Sequence, residues 1–255
     1  MNNFFVDISQ IHNGGSVEIL GSDVNHIGQV LRMKSGEQIM VRDGYGYEYL
    51  CEITKISQEQ VLAKILEMRE IAAELPSEVW LFQSLPKGDK MELIVQKAVE
   101  LGVSKIVPVA SQRCVVKLDK KRESSKIKRW NFIAESAAKQ SGRGVIPEVL
   151  PVARFSQALS IAEELDIKLM PYECADELLK ERNKTPMQQT KEILSSIQKK
   201  ASIGVFIGPE GGFEKAEVDA AMAIGVKPLT LGKRILRTET AGLCILSVLM
   251  FHLEE

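Results

Sequence analysis

The chain has 255 residues, 45% of them hydrophobic, with 33 Lys/Arg against 34 Asp/Glu and a formal net charge of −1. That length allows one or two domains with a real core, and the near-neutral balance excludes a uniformly basic nucleic-acid binder while leaving local patches open. No run of about 18 apolar residues occurs, and MNNFFVDISQ lacks a basic-then-apolar leader, so a cytoplasmic protein without a membrane span is expected. The four cysteines (Cys51, Cys114, Cys174 and Cys244) stand far apart without CxxC spacing. Scattered reduced thiols explain them better than disulfides or a zinc site, and no metal is expected.

Residues 1–71 read as a strand-rich domain. Val17 to Leu20, Gln38 to Arg42, Tyr45 to Thr54 and Val61 to Met68 are β-like runs, parted by turn signals at Gly14-Gly15, Ser35-Gly36 and Asp43-Gly44. One helical segment, Ser22 to Met33, interrupts them. A small barrel would hide the edges of such short strands. The domain is acidic, with six Lys/Arg and ten Asp/Glu, which counts against a strong grip on nucleic acid across its whole surface. Within HIGQVLR, His26 and Arg32 read either as a solvent-facing pair or as a small RNA-contacting edge.

After a linker over 70–77, residues 76–255 alternate between strand and helix. Val79 to Gln83 and Lys105 to Val109 read as strands around a helix with Met91, Ile94, Val95 and Ala98 at helical spacing. A long helix carrying Ile127, Trp130, Ala134 and Ala137 on one face follows. Phe155 to Leu165 reads as helix, Ile167 to Tyr172 as strand and Glu192 to Lys200 as helix. A strand from Ile203 to Ile207 then breaks into Gly208-Pro209-Glu210-Gly211-Gly212, and a helix begins near Glu214. A strand near Leu229 and a last helix from Thr238 to Leu253 complete the chain. Such alternation argues for a mostly parallel α/β sheet. Residues 113–143 hold ten Lys/Arg and three acids, either a solvated face or a phosphate-binding surface.

Ligands of α/β sheets sit at the carboxyl ends of strands, which draws attention to GPEGG. It lacks the G-x-G-x-x-G and G-x-x-x-x-G-K-[ST] patterns, and Glu210 would repel a pyrophosphate, so a neutral or cationic ligand suits it better. LGKRILRTETA repeats the arrangement, since it also follows a strand and opens a helix. Gly232 permits close backbone approach and Ile235 and Leu236 offer an apolar wall. Arg237 sits at the helix start, where the dipole disfavours a cation.

GPEGGF followed by Glu217, with LGKRILRTETA, HIGQVLR, QKAVELGV and ESAAKQSGR, resembles the SPOUT-class RNA methyltransferases over nearly the whole chain. Those most similar methylate N3 of a uridine in 16S rRNA. The resemblance implies a PUA-like β-barrel for RNA binding, a SPOUT-type α/β domain tied in a deep trefoil knot, a homodimer packed through the last helix, and S-adenosyl-L-methionine as cofactor. It assigns the cofactor to Ile207, Gly208, Pro209, Glu210, Gly211, Gly212, Leu231, Gly232, Ile235, Leu236 and Arg237. Arg237, Glu210 and Glu239 become the catalytic candidates, with His26, Arg32, Arg113 and Arg143 on the RNA. The substrate is 16S rRNA or the small ribosomal subunit. Two alternatives stay open: a sister enzyme acting on tRNA or ribose 2′-O, and a non-catalytic RNA-binding assembly factor. Glu214 stands where the family often places serine, which should weaken the helix cap.

Overall fold

The computed structural model describes residues 2–12, 14–173 and 184–254, so Cys174 lies outside the described residues. Cys51, Cys114 and Cys244 are free thiols. The chain divides into two compact units, Met1–Glu74 with Ala138–Ile146, and Leu75–Ala137 with Pro147–Glu255. Residues 138–146, expected with the second unit, thus belong to the first. Their local packing explains it. Arg42 Nη1 donates to the Arg143 carbonyl at 3.1 Å, and Glu74 accepts from the N–H groups of Gly144 and Val145 at 2.9 and 3.2 Å.

In the first unit, β1 (Asn3–Phe5), β2 (Ile11–His12), β3 (Ser16–Leu20), β4 (Gln38–Arg42), β5 (Tyr47–Ile56) and β6 (Gln60–Glu70) form one sheet in the order β1-β4-β5-β6-β3-β2. Only the β1–β4 pair is parallel. The path ends at β1 and β2 rather than closing through hydrogen bonds, so the expected barrel is open at that seam. Strands of three and two residues offer few groups with which to close it. Period-two alternation supplies the core: Val17 and Ile19 are buried between half-exposed Ser16 and Glu18. They meet Phe4, Ile27, Ile39, Ile53 and Val61 in one cluster. Helix α1 (Ser22–Asn25) runs into a π-helical turn, His26–Val30, short of the expected Met33. Arg32 at φ +53° takes the left-handed conformation, which no right-handed helix can continue through.

The second unit holds a seven-stranded sheet built from β7 (Glu78–Ser84), β8 (Lys105–Ala110), β9 (Glu148–Val149), β10 (Ala153–Arg154), β11 (Ile167–Pro171), β12 (Ser202–Ile207) and β13 (Lys227–Leu229). The order is β10-β8-β7-β12-β11-β13, with β9 also on β8, and every pair is parallel. Parallel strands need crossovers, here made largely by helices, and these bury both sheet faces. The helices are α2 (Lys90–Glu100), α3 (Lys120–Ser141, whose last turn joins the first unit), α4 (Phe155–Ala162), α5 (Pro186–Ser195), α6 (Lys215–Ala223) and α7 (Thr238–Leu253). Phe82 and Phe206 stack at 4.4 Å between centroids at the middle of the core.

Helix α5 replaces the expected helix at Glu192–Lys200. Thr185-Pro186-Met187-Gln188 starts it: Thr185 Oγ1 accepts the Gln188 N–H at 3.2 Å, and Gln188 Oε1 accepts the Thr185 N–H at 2.8 Å. The helix at Phe155 stops at Ala162 instead of Leu165, and α7 keeps its expected bounds. No helix among the described residues is long and apolar enough to cross a membrane.

Candidate active site

At the carboxyl ends of β11, β12 and β13, two loops enclose a cleft of about 340 Å³. The first, 208–214, turns back on itself through a Gly212 N–H to Pro209 carbonyl bond of 2.9 Å. A Cβ on Gly208 would come within 3.3 Å of the Gly212 backbone, so any larger residue there would force the loop to give by a few tenths of an ångström. In the second loop, Gly232 has φ +113°, closed to other residues without strain. Thr230 Oγ1 accepts the Gly232 N–H at 3.2 Å, and the Thr230 N–H donates to Thr190 Oγ1 of α5 at 3.0 Å. The N-terminus of α5 is therefore part of the scaffold beneath this loop.

One hydroxyl ties the two loops together. Thr238 Oγ1 donates to the Gly208 carbonyl at 2.6 Å and accepts from Gln83 Nε2 at 2.9 Å. Gln83 is fully buried at the end of β7 and also donates to the Ser84 carbonyl. The N-cap of α7 is Arg237, whose carbonyl accepts the Ala241 N–H at 2.8 Å. Thr238 is thus free to act as a strut, a role that spacing alone could not reveal.

Ten expected cofactor residues line the cleft: Ile207, Gly208, Pro209, Glu210, Gly212, Leu231, Gly232, Ile235, Leu236 and Arg237. Gly211 does not; the Cβ it lacks would point at Arg113, 3.4 Å away. Tyr172, Phe213, Thr230 and Thr238 line the cleft as well and were missed, because only assembly of the sheet brings them there. The Arg237 guanidinium is exposed and, among the described residues, holds no hydrogen-bonded partner.

Glu210 and Glu239 flank Lys90, whose ammonium lies 3.2 Å from Glu210 Oε1 and 3.1 Å from Glu239 Oε2. The Lys87 N–H also donates to Glu210 Oε1 at 3.0 Å. Burial pushes both carboxyls up in pKa. For Glu210, its own backbone N–H, that of Lys87 and the Lys90 ammonium outweigh it; for Glu239, its own N–H, Lys90 and Arg237 do. Both sit below the ordinary carboxylate value. Hydrogen bonding to Glu239, against slight desolvation, and then to Glu210 raises Lys90. Through that shared ammonium the two carboxylates link α2 to the first loop and to α7.

Arg113 braces the outside of that loop. Its Nε and Nη2 donate to Glu214 at 2.8 and 3.1 Å, and Nη1 to the Gly211 carbonyl at 2.8 Å. Its guanidinium is committed to the loop rather than offered to phosphate. This pairing also resolves the capping question. The Glu214 side chain serves Arg113, while Glu217 Oε2 accepts the Glu214 N–H at 3.0 Å and its Oε1 the Gln112 N–H at 2.8 Å. Arg143 lies in the first unit with its side chain only 4% exposed, against Glu74, 2.5 Å from Nη2 to Oε2. It is a structural ion pair, a correction to its expected place on the RNA. His26 and Arg32 are exposed in the first unit, and His26 sets its ring edge-on to Phe4. No group of three or more His, Cys, Asp or Glu among the described residues could hold a metal ion.

The cleft suits an adenosyl group with a cationic sulfur. Its volume is at the small end of ligand pockets, its walls are apolar (Ile207, Leu231, Leu236), glycines expose backbone groups, and Glu210 supplies negative charge. Residues 73–250 match the RNA methyltransferase domain, and 19–66 the RNA methyltransferase PUA domain. Ribosomal RNA small subunit methyltransferase E of Bacillus subtilis is 36% identical over 100% of this chain and 98% of its own. Two solved structures, each with a TM-score of 0.78, contain S-adenosylmethionine. A Legionella pneumophila methyltransferase is 32% identical, covering 97% of this chain and 96% of its own. Ribosomal RNA small subunit methyltransferase E of Neisseria gonorrhoeae is 31% identical, covering 98% and 97%. The chain belongs to the ribosomal RNA small subunit methyltransferase E family of S-adenosylmethionine-dependent RNA methyltransferases.

Proposed function

We propose that the protein methylates N3 of one uridine in 16S rRNA of the small ribosomal subunit. The observation that carries this reading is the strut from Thr238 to Gly208, which joins two glycine loops into one cleft beside Arg237, exposed and without a hydrogen-bonded partner among the described residues. When bound, S-adenosylmethionine supplies an electrophilic methyl group on a sulfonium. Ile207 to Gly212 and Leu231 to Leu236 hold it through apolar contact and backbone groups. The chain's remaining task concerns the uracil. N3–H lies on the Watson–Crick edge, so the base must be unpaired or flipped outward. Loss of that proton to solvent water leaves an imide anion, and the Arg237 guanidinium stabilises it. Glu210 and Glu239, held as carboxylates by Lys90, keep the loop and α7 in register rather than taking the proton.

The same reading includes a PUA-like first domain over 1–71, a SPOUT domain over 76–255 apart from residues 138–146, which pack with the first unit, a trefoil knot around the cofactor loops, and a cytoplasmic homodimer. Helix α7 supports the dimer, since Val248 and Phe251 are 40% and 73% exposed on an otherwise apolar helix. His26 and Arg32 remain the RNA contacts of the first domain. Incubation with labelled cofactor and unmodified small subunits, followed by mass spectrometry of the nucleosides, tests the activity. The expected product is N3-methyluridine; a ribose 2′-O-methyl product would replace this reading with the sister activity.

A further inference from the structure

The second unit has another cavity, of about 640 Å³, at the carboxyl ends of β7, β8 and β10. It opens on the same sheet edge as the cofactor cleft and lies beyond the Arg113 brace. The middle strands of the two sites, β8 and β11, are three steps apart in the sheet, so at about 4.8 Å per strand the sites lie on the order of 15 Å apart along the edge.

Its lining separates into two kinds. Half-buried Val116, with the edges of the buried Leu85 and Phe155, forms an apolar wall, and Lys117 and Arg154 supply two cations. Both cations are exposed, and among the described residues neither has an ion-pair partner. The two carboxylates of the lining are already engaged. Glu217 accepts from the Gln112 and Glu214 N–H groups, and Glu123 Oε1 accepts the Val152 N–H at 3.1 Å. An apolar wall beside two cations that have no ion-pair partner among the described residues, with both carboxylates turned to backbone N–H groups, is complementary to a nucleotide, whose base is flat and weakly polar and whose phosphate is anionic.

We propose that this cavity receives a nucleotide of the RNA neighbouring the methylated one, with its base on the Val116–Phe155 wall and its phosphate between Lys117 and Arg154. The inference rests on RNA being the substrate and adds a second anchoring point for it. Such an anchor fixes the register of the strand, so that a single uridine is presented to the cofactor cleft.

The test uses the full chain and a double variant, Lys117→Ala with Arg154→Ala. Binding of a labelled single-stranded RNA 20-mer is followed by fluorescence anisotropy across a salt series, and cofactor binding by calorimetry. A second double variant, Lys191→Ala with Lys227→Ala, removes two exposed charges elsewhere in the same unit. The cavity variant should bind RNA about tenfold more weakly at ~0.15 M salt, with a slope of log affinity against log salt shallower by about 1, and with cofactor affinity unchanged. An unaltered slope, or an equal loss in the control variant, would overturn the proposal. Displacement of the 20-mer by uridine monophosphate at concentrations matching unlabelled RNA would overturn it too, because the site would then serve free nucleotides. Failure of the unsubstituted protein to bind cofactor or to methylate rRNA would sink the methyltransferase reading instead, and that measurement is separate from the RNA slope.

Discussion

Removing the hydroxyl of Thr238 while keeping its shape, as Thr238→Val, isolates the strut between the two loops. Thr238 is 5% exposed, and its hydroxyl serves two groups at once, the Gly208 carbonyl and Gln83 Nε2. Gln83 keeps its second bond to the Ser84 carbonyl, and the Gly208 carbonyl sits at the cleft, where water can reach it. The loss therefore falls in the lower half of the range for an unsatisfied buried polar group, about 1–2 kcal/mol. Because Gly208 holds the first cofactor loop, most of that cost should appear in cofactor binding, as a roughly 5- to 30-fold rise in Kd by calorimetry. Thermal melting should fall by a few degrees in parallel. Thr238→Ser retains the hydroxyl and should stay within about threefold of the parent. Equal cofactor affinity in Thr238→Val and the parent, with only the melting temperature reduced, would refute the strut as an organiser of the site.

Three other outcomes follow from the same geometry. Arg237→Ala should leave cofactor affinity within a few-fold but lower the methylation rate about 10²- to 10³-fold, measured under saturating cofactor; a matching fall in affinity would assign Arg237 to binding instead. Arg143→Ala removes the buried partner of Glu74, which keeps its two backbone N–H donors and partial solvation, and should cost about 1–3 kcal/mol in denaturant unfolding. A surface RNA contact would instead cost almost no stability. Lys90→Met should destabilise the chain in a pH-dependent way. Glu210 and Glu239 have folded pKa values below ordinary, so their contribution is present above the unfolded value of about 4.3 and is lost as pH falls through the folded values. Lys90 is raised, so its contribution is present below about 10.4 and is lost as pH rises through its folded value. The melting difference between Lys90→Met and the parent should hold from about pH 5 to 9 and shrink below about 4; a difference that grew toward acid would contradict the pairing.

Much of the second unit was legible because local rules decided it. The strand Ser202–Ile207 is a short apolar run broken by GPEGG, and the last helix begins where LGKRILR ends. Ten of eleven cofactor candidates share one cleft because both loops follow parallel strands, and parallel strands end on one edge. What escaped the sequence is pairing at long range. Thr238 meets Gln83 across 155 positions, Lys90 meets Glu210 across 120, and Arg143 meets Glu74 across 69. Periodicity tells which face a residue takes, not which distant residue it will find there. Arg113 and Arg143 therefore read as surface charge in a basic stretch, while folding turns one onto a loop and buries the other. The helix expected at 192–200 lies at 186–195 for a local reason, since the Thr185-Pro186-Met187-Gln188 start fixes its first turn.

If the site acts on the Watson–Crick edge of one uridine in 16S rRNA, as we propose, methylation at N3 blocks base pairing there. Reverse transcription of 16S rRNA, taken from unmodified small subunits incubated with the protein and S-adenosylmethionine, reads this directly. The account predicts one new stop, adjacent to a single uridine, that disappears with Arg237→Ala. Methyl incorporation without a stop, or label recovered in tRNA and absent from 16S rRNA, would contradict it.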